Sequence, residues 1–377
     1  MSLTFTSSFD SGAIEVDAVG DDSAELRIRP DVRSDGSRSE FRQWFHFRVG
    51  GVGSSGARLR VTNAGETTYP EGWRGYRAVA RIDEQRWMRL PTGYDGRTMT
   101  IEVPPSRTIE VAYFEPYSWE RHRALLADCT ARGARQQRLG GSLQGRELDR
   151  LIIGSGPQPV WIIARQHPGE TMAEWFVDGL LQRLLDPDDA VARGLQRMAT
   201  FHIVPNMNPD GSVLGNLRTN AAGANLNREW LQPSAERSPE VLAVRDAIQA
   251  TGCAAFFDIH GDEVLPYVFI AGCEMLPGFT ARQQQEQGAF AADFRAASAD
   301  FQSEHGYSAK KYQDDVLKLA SKYIGHTFGC LSLTLEMPFK DNANAPDADA
   351  GWSSARSARL GADMLGPVLK HLERTAP

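Results

Sequence analysis

The 377-residue sequence has little that would cross-link it or anchor it to a membrane. Its four cysteines are scattered and include no Cys-x-x-Cys pair, which suits isolated thiols in a reducing compartment. No apolar run approaches the about 20 residues that span a bilayer, and the polar N-terminus lacks the apolar core of a secretory signal. We therefore expect a cytoplasmic protein with no membrane partner.

Several common functional signatures are also missing. The chain contains no His-Glu-x-x-His zinc helix and no Gly-x-Ser-x-Gly turn of a serine hydrolase, and it has no internal repeat. Its net charge of -7 argues against nucleic acid as a partner, because such binding needs a basic patch. The length is comfortable for two domains, and about 75% of the unfolded surface can be buried at this size.

The most informative segment joins a buried strand to a tight turn. Residues 160–163 are apolar and mostly β-branched, Pro-Gly breaks the strand, and residues 171–185 carry apolar side chains at helical spacing. His167 and Glu170 lie in that turn, at the carboxyl end of the strand, where open α/β sheets build their sites. A lone His-x-x-Glu pair is weak evidence for a metal site, but both side chains are good zinc ligands.

Two further strand-like segments carry the rest of a metal site. The first, at 254–259, ends at His260, and the second, at 331–335, ends at Glu336. His260 alone could be a core histidine, and Glu336 alone could pair with a surface lysine. Together with the His167 turn they indicate three strand ends at one sheet edge, with two histidines and a glutamate holding a metal. Glu336 would then be available as the general base.

The chain between these strands contributes two arginines on polar loops. Arg218 and Arg228 lie near Asn227, after an Asn-Pro-Asp-Gly segment (208–211) that predicts a turn. Loop arginines are usually solvated. A guanidinium can nevertheless grip a carboxylate in a bidentate pair or stabilise a developing oxyanion.

Five motifs carry a resemblance to the zinc metallocarboxypeptidase family, and in detail to its cytosolic carboxypeptidase branch. They are His-Pro-Gly-Glu (167–170), Asn-Pro-Asp-Gly (208–211), Asn-Leu-Asn-Arg-Glu-Trp (225–230), Asp-Ile-His-Gly (258–261) and Thr-Leu-Glu-Met-Pro-Phe (334–339). They occur in the family's order and span roughly residues 120 to 377.

The resemblance implies a role for each matching residue. One zinc ion per chain would be held by His167, Glu170 and His260, with Glu336 as general base and then proton donor. Asn227 and Arg228 match the pair that binds the substrate's terminal carboxylate. Arg218 matches the arginine that polarises the scissile carbonyl. The implied substrate is the C-terminus of a peptide or protein.

The sequence departs from the family pattern at a few positions. Asn225 stands where the family usually has an aspartate that orients a zinc-ligand histidine; its amide oxygen can accept the same hydrogen bond without the charge. Tyr307 and Tyr312 are both candidates for the substrate-capping tyrosine. The cytosolic branch often has a basic residue in its specificity pocket, and Lys318 and Lys322 lie in the corresponding stretch, although such a pair is more often a solvated helix face.

The first part of the chain predicts a different architecture. Short alternating segments separated by turns favour an all-β sandwich over residues 1–117. Its Phe-Asp-Ser-Gly (9–12) and Gln-Trp-Phe-His-Phe (43–47) segments resemble the N-terminal domain of cytosolic carboxypeptidases. Residues 118–377 alternate strand and helix patterns, which predicts an α/β catalytic domain with a mixed, largely parallel sheet flanked by helices.

The sequence therefore predicts a zinc-dependent carboxypeptidase of the cytosolic type. The alternative is a related zinc amidohydrolase that cleaves small N-acyl amino acids with the same chemistry and a different pocket. A third hypothesis is a binding module with a dead site, against which the intact set of His167, Glu170, His260 and Glu336 argues. The oligomeric state and the preferred C-terminal residue are left open.

Overall fold

Two β-sheets form the N-terminal part of the computed structural model, which describes residues 2–274, 276–308 and 316–376. Its strands are β1 (Thr4–Thr6), β2 (Glu15–Val19), β3 (Ser23–Arg27), β4 (His46–Val52), β5 (Ala57–Val61), β6 (Val79–Ile82), β7 (Trp87–Arg89), β8 (Thr92–Tyr94), β9 (Met99–Val103) and β10 (Ser106–Ala112). They pair in the orders β1-β4-β10-β6-β7 and β2-β3-β5-β9-β8. Every second side chain of β5 and β9 is buried, as expected for strands with one covered face. The buried faces of the two sheets belong to one hydrophobic core.

A seven-stranded sheet forms the second part. Its strands are β11 (Arg135–Gly141), β12 (Glu147–Ile153), β13 (Gln158–Ala164), β14 (Ala199–Val204), β15 (Ala255–Asp262), β16 (Phe269–Ala271) and β17 (Leu331–Pro338). The order is β11-β12-β14-β13-β15-β17-β16. The central strands β14, β13, β15 and β17 are parallel, and the outer strands pair antiparallel. The predicted fold class is confirmed: an all-β part is followed in the chain by a mixed sheet flanked by helices.

Helices cover both faces of this sheet. They are α1 (Trp119–Ala131), α2 (Met172–Leu184), α3 (Ala190–Met198), α4 (Pro209–Leu214), α5 (Pro239–Thr251), α6 (Ala281–Ala297), α7 (Ala320–Phe328) and α8 (Ser354–Thr375), with short 3₁₀ turns at Ala64–Glu66, Pro70–Trp73, Leu226–Arg228 and Val316–Lys318. Alternate residues of β13 face opposite ways. Val160 and Ile162 lie in the core shared with α2 and α8, while Trp161 and Ile163 pack with α5 and α7. Burial on both faces explains why this strand is a continuous apolar run.

Two details of the predicted secondary structure were wrong. The strands predicted to end at His260 and Glu336 run on to Asp262 and Pro338, because the parallel β15–β17 ladder continues through the His260–Glu336 pair. The segment at 208–211 is not a turn but the start of α4. The Asn208 side chain accepts a hydrogen bond from the Gly211 amide at 3.0 Å, and Pro209 occupies the first helical position.

The topology places a crevice beside β13. The chain leaves β13 for β14 on one side and then reaches β15 on the other, which makes the carboxyl end of β13 a switch point of the sheet. Open α/β sheets bind ligands at such points. Within the described ranges, no helix combines the length and the apolar character that a membrane span needs.

Candidate active site

The turn after β13 is braced by a buried charged network. Arg165 has a positive φ of 59° and is 1% exposed, a conformation that costs a non-glycine residue about 1–3 kcal/mol. Its guanidinium donates to the Pro168 carbonyl at 3.0 Å and to Glu174 Oε2 at 2.6 Å. Glu174 also pairs with His122 at 2.6 Å. These contacts fix the direction in which the turn presents His167 and Glu170.

Three side chains converge where β13 and β15 end. Glu170 Oε1 lies 2.6 Å from His167 Nδ1, and Glu170 Oε2 lies 2.8 Å from His260 Nδ1. The two Nδ1 atoms are 3.2 Å apart. Ligand atoms of a tetrahedral zinc site with bonds of about 2 Å lie about 3.3 Å from one another. All three residues are buried, and they form a group that could hold a metal ion. The donor set fits zinc, and the three groups lie close enough together to share one ion.

Each histidine is oriented by a partner on its outer nitrogen. His167 Nε2 donates to Asn225 Oδ1 at 3.0 Å, the contact expected from that asparagine. His260 Nε2 lies 2.9 Å from the buried Asp258 carboxylate. With each outer nitrogen engaged in this way, both Nδ1 atoms face the shared centre. Partners of this kind typically change metal affinity by about 10–100-fold when removed.

The two histidines differ in charge environment. Burial lowers the pKa of His167 to about 3, and the Arg218 guanidinium adds to this effect. For His260, burial is outweighed by the Asp258 and Glu170 carboxylates, which raise its pKa well above the usual value. Glu170 is also buried, yet the two histidines hold its pKa below the ordinary range. The centre therefore favours a carboxylate at Glu170, which is the form that binds a cation.

Glu336 lies beside this centre on β17, directly paired with His260 in the ladder. Its Oε1 is 2.9 Å from the Tyr307 hydroxyl, which also lies 2.6 Å from Asp262 Oδ2. Its buried Oε2 has no hydrogen-bond partner in the part of the chain that the structure describes. Burial raises the pKa of Glu336 to about 8, against the opposing effect of His260 and with the help of Glu170 and Asp262. A carboxylate with one unsatisfied oxygen is suited to take up a proton.

All seven residues predicted for the site line one cleft of about 750 Å³. They are His167, Glu170, Arg218, Asn227, Arg228, His260 and Glu336. Asn227 is fixed by the Ala320 amide, which donates to its Oδ1 at 2.9 Å. Arg228 donates to the Asn227 carbonyl at 2.8 Å. Arg218 Nη1 lies 3.9 Å from Glu170 Oε1. The cleft thus joins a candidate metal centre to two guanidinium groups.

The candidate tyrosines and lysines differ in whether they line the cleft. Tyr307 lines the cleft, whereas Tyr312 falls outside the described residues. Lys322 lines the cleft, and Lys318 is exposed outside it. The two lysines do not share one helix, because Lys318 ends a 3₁₀ turn before α7 begins.

The sequence analysis missed several residues of the cleft and its surroundings. Asp258 could have been found, because it lies two residues before His260 and therefore on the same face of the strand. Glu263 and Tyr69 also line the cleft. Tyr69 precedes the 3₁₀ turn at Pro70–Trp73 in the N-terminal part of the chain. No local motif marks it as part of a site in the other half of the chain.

The chain is similar to several known proteins. The chain is 58% identical to a metallo-carboxypeptidase from Burkholderia cenocepacia, with a TM-score of 0.95 over 99% of this chain and 100% of that one. It is 43% identical to the metallo-carboxypeptidase of Pseudomonas aeruginosa, with a TM-score of 0.93 over 98% and 100% of the two chains. It is 30% identical to cytosolic carboxypeptidase 6 of Mus musculus over 72% of this chain, and covers 55% of that longer protein.

Two family models match successive parts of the sequence. The cytosolic carboxypeptidase N-terminal domain matches residues 5–114. The zinc carboxypeptidase model matches residues 124–350, which is more than half of the chain. On this match, and on the identities above, the chain belongs to the zinc carboxypeptidase family.

Proposed function

We propose that this chain removes the C-terminal residue of peptides or proteins with one zinc ion per chain, held by His167, Glu170 and His260. The observation that carries the proposal is the convergence of three ligand atoms beside Glu336 in the cleft that Arg228 lines. Bound zinc supplies a Lewis acid that activates water and polarises a carbonyl.

The protein's own groups have distinct tasks in this reaction. Glu336 takes the proton of the attacking water, because its Oε2 is unpaired and buried beside the centre. The same carboxyl then returns that proton to the leaving amine. Arg218 stabilises the charge that develops on the scissile carbonyl oxygen, and the buried cleft strengthens this interaction. Asn227 and Arg228 bind the terminal carboxylate, which restricts cleavage to the last peptide bond.

A relative binds a compound that carries carboxylate groups. The Pseudomonas aeruginosa metallo-carboxypeptidase was solved in complex with (2-guanidinoethylmercapto)succinic acid. Succinic acid carries two carboxylates, and the guanidino group carries a positive charge. We infer that Arg228 engages a substrate carboxylate.

Amidating the C-terminus of a good peptide substrate is expected to slow its cleavage roughly tenfold or more. The amide removes the charge that Arg228 grips, and a hydrogen bond to a charged group contributes roughly 1.5–3 kcal/mol. Arg228→Ala should erase the difference between acid and amide. The measurement is kcat/KM for the matched pair of peptides.

The matched control is Arg237→Ala, since Arg237 is an exposed arginine of the same segment that pairs with Glu229 at 2.9 Å and does not line the cleft. This variant should keep the discrimination against the amide. Equal rates for acid and amide in the unmodified protein would rule out recognition of a terminal carboxylate, and would point to an endopeptidase or to the amidohydrolase alternative, which the family matches do not support.

We further propose a preference for an acidic C-terminal residue, with Lys322 as its determinant. Peptides ending in Glu should be cut with a kcat/KM about tenfold or more above those ending in Leu, because a lysine paired in a closed cleft discriminates more strongly than a solvated one. Lys322→Ala should remove the preference. Lys318→Ala is the matched control, because Lys318 is exposed and lies outside the cleft.

A basic C-terminal residue is the competing hypothesis. Glu274 also lines the cleft, and the ligand of the Pseudomonas aeruginosa protein carries a guanidino group. If peptides ending in Lys or Arg are cut fastest, and if Glu274→Gln abolishes that advantage, the role of Lys322 is disproved and Glu274 becomes the determinant.

The organisation of the chain completes the proposal. We place the boundary between an N-terminal β-sandwich domain and the catalytic domain at residues 117–118, between the two family matches. The cytosolic carboxypeptidases among the relatives support a cytoplasmic location.

A further inference from the structure

The loop that carries Arg218 is held by residues of the N-terminal part of the chain. Asp31, which follows β3 and is 1% exposed, accepts four hydrogen bonds from three consecutive residues of this loop. Its Oδ1 accepts from the Leu217 amide at 2.6 Å. Its Oδ2 accepts from the Arg218 amide at 2.9 Å, the Thr219 amide at 2.9 Å and the Thr219 hydroxyl at 3.0 Å. One carboxylate therefore fixes the backbone on both sides of Arg218.

Neighbouring contacts extend the same attachment. The Val32 amide donates to Asn216 Oδ1 at 2.8 Å, and the Asn216 side chain donates back to the Val32 carbonyl at 2.9 Å. Arg29 donates to the Leu214 carbonyl at 2.5 Å. The loop from Leu214 to Thr219 is thus tied to the segment from Arg29 to Val32, more than 180 residues away in the sequence.

The side chain of Arg218 is also enclosed by this domain. The centre of its guanidinium lies 6.0 Å from the Phe41 ring and 5.6 Å from the Tyr69 ring. Only 11% of the side chain is exposed. Aromatic faces attract a guanidinium and limit its rotamers. The domain therefore contacts both the backbone and the charged end of the residue.

We propose that Asp31 is a positioning residue for Arg218, and that Asp31, Phe41 and Tyr69 make the N-terminal domain part of the catalytic apparatus. This inference rests on the proposed role of Arg218 in stabilising the developing oxyanion. Such a donor is effective only when it is aimed in advance at the charge that forms. A displacement of about 1 Å can cost about 100-fold in rate.

A purely structural role for Asp31 makes a different prediction. A carboxylate that only joins two domains would affect the midpoint of unfolding and the yield of folded protein. It would not act on kcat through Arg218. The two roles are therefore separated by asking whether the effect of Asp31 depends on the presence of Arg218.

The test compares Asp31→Asn in the unmodified protein and in the Arg218→Ala background. An asparagine places an NH₂ group against at least one of the loop amides, so a donor faces a donor. We expect kcat for release of the C-terminal residue to fall about tenfold or more, with KM and bound zinc changed little and with a lower unfolding midpoint, because buried donors lose their acceptor. In the Arg218→Ala background, the same substitution should lower kcat less than twofold further.

The matched control is Asp35→Asn. Asp35 is an exposed acid a few residues along the same segment, and its side chain accepts from the Ser37 amide at 2.9 Å. It should leave kcat unchanged. If Asp31→Asn does not fold, Thr219→Val and Phe41→Leu carry the test, since each removes one contact to Asp31 or to the guanidinium. Both should lower kcat only when Arg218 is present.

Several outcomes would overturn the proposal. The first is an unchanged kcat in folded, zinc-loaded Asp31→Asn. The second is an equal loss of kcat with and without Arg218. If Asp31→Asn does not fold, an unchanged kcat in both Thr219→Val and Phe41→Leu has the same meaning. Failure of the proposed function has a different signature. In that case the unmodified protein releases no C-terminal residue, or Arg218→Ala alone leaves kcat intact.

Discussion

Replacing Glu336 by glutamine is expected to lower kcat by about 10²–10⁴-fold, the range that general acid–base catalysis contributes. The amide has nearly the same shape as the carboxylate, so KM should change little. It cannot accept the proton of the attacking water or return it to the leaving amine. The measurement is steady-state kcat on a peptide substrate, with zinc content and unfolding midpoint recorded for the same preparation.

The surroundings of Glu336 make this variant a clean probe. Its Oε2 has no partner among the described residues, so the substitution breaks no hydrogen bond at that atom. Its Oε1 is 2.9 Å from the Tyr307 hydroxyl, and the amide oxygen of a glutamine can still accept a hydrogen bond from that hydroxyl. Glu304→Gln is the matched control, because Glu304 is exposed and lies outside the cleft. If Glu336→Gln turns over near the normal rate, another group is the base, and Glu263 in the same cleft is the next candidate.

Residues near one another in the sequence were predictable from local patterns. The buried strand at 160–163, the Pro-Gly break and the following helical periodicity located His167 and Glu170 in one turn. The strand-like segments before His260 and Glu336 marked the same sheet edge. What the sequence could not supply was the register that pairs His260 with Glu336, because register depends on packing between strands that are distant in the chain.

Contacts between the two halves of the chain were beyond the sequence analysis. Asp31 binds the loop of Arg218 across more than 180 residues, and Tyr69 lines the cleft from the other side. Neither residue lies in a motif with its partner.

The error at residues 208–211 has a different origin. An asparagine followed by proline can begin a helix as well as a turn. Only the structure shows the hydrogen bond from the Gly211 amide to the Asn208 side chain that begins a helix here.

Removing both histidine ligands is expected to abolish zinc binding. His167→Ala with His260→Ala leaves Glu170 as the remaining predicted ligand, and one carboxylate cannot replace a site of three ligands. The unmodified protein should hold about one zinc per chain, and the double variant almost none after desalting. Loss of only part of the zinc would mean that the ion is held elsewhere in the chain.

The double variant should lose its metal without losing its fold. His167 and His260 pack against each other with ring centroids 4.8 Å apart, at the end of the sheet rather than in its apolar core. The far-ultraviolet circular dichroism spectrum of the double variant should therefore match that of the unmodified protein. Excess zinc should not restore its activity.

The most direct measurement is a zinc titration of chelator-treated protein, followed by release of the C-terminal amino acid from a peptide with a free carboxylate. The activity should rise linearly and stop rising at about one zinc per chain, with no release from the His167→Ala, His260→Ala variant at any zinc concentration. Activity that persists in excess chelator, or that continues to rise well beyond one zinc per chain, would contradict a single catalytic zinc held by His167, Glu170 and His260.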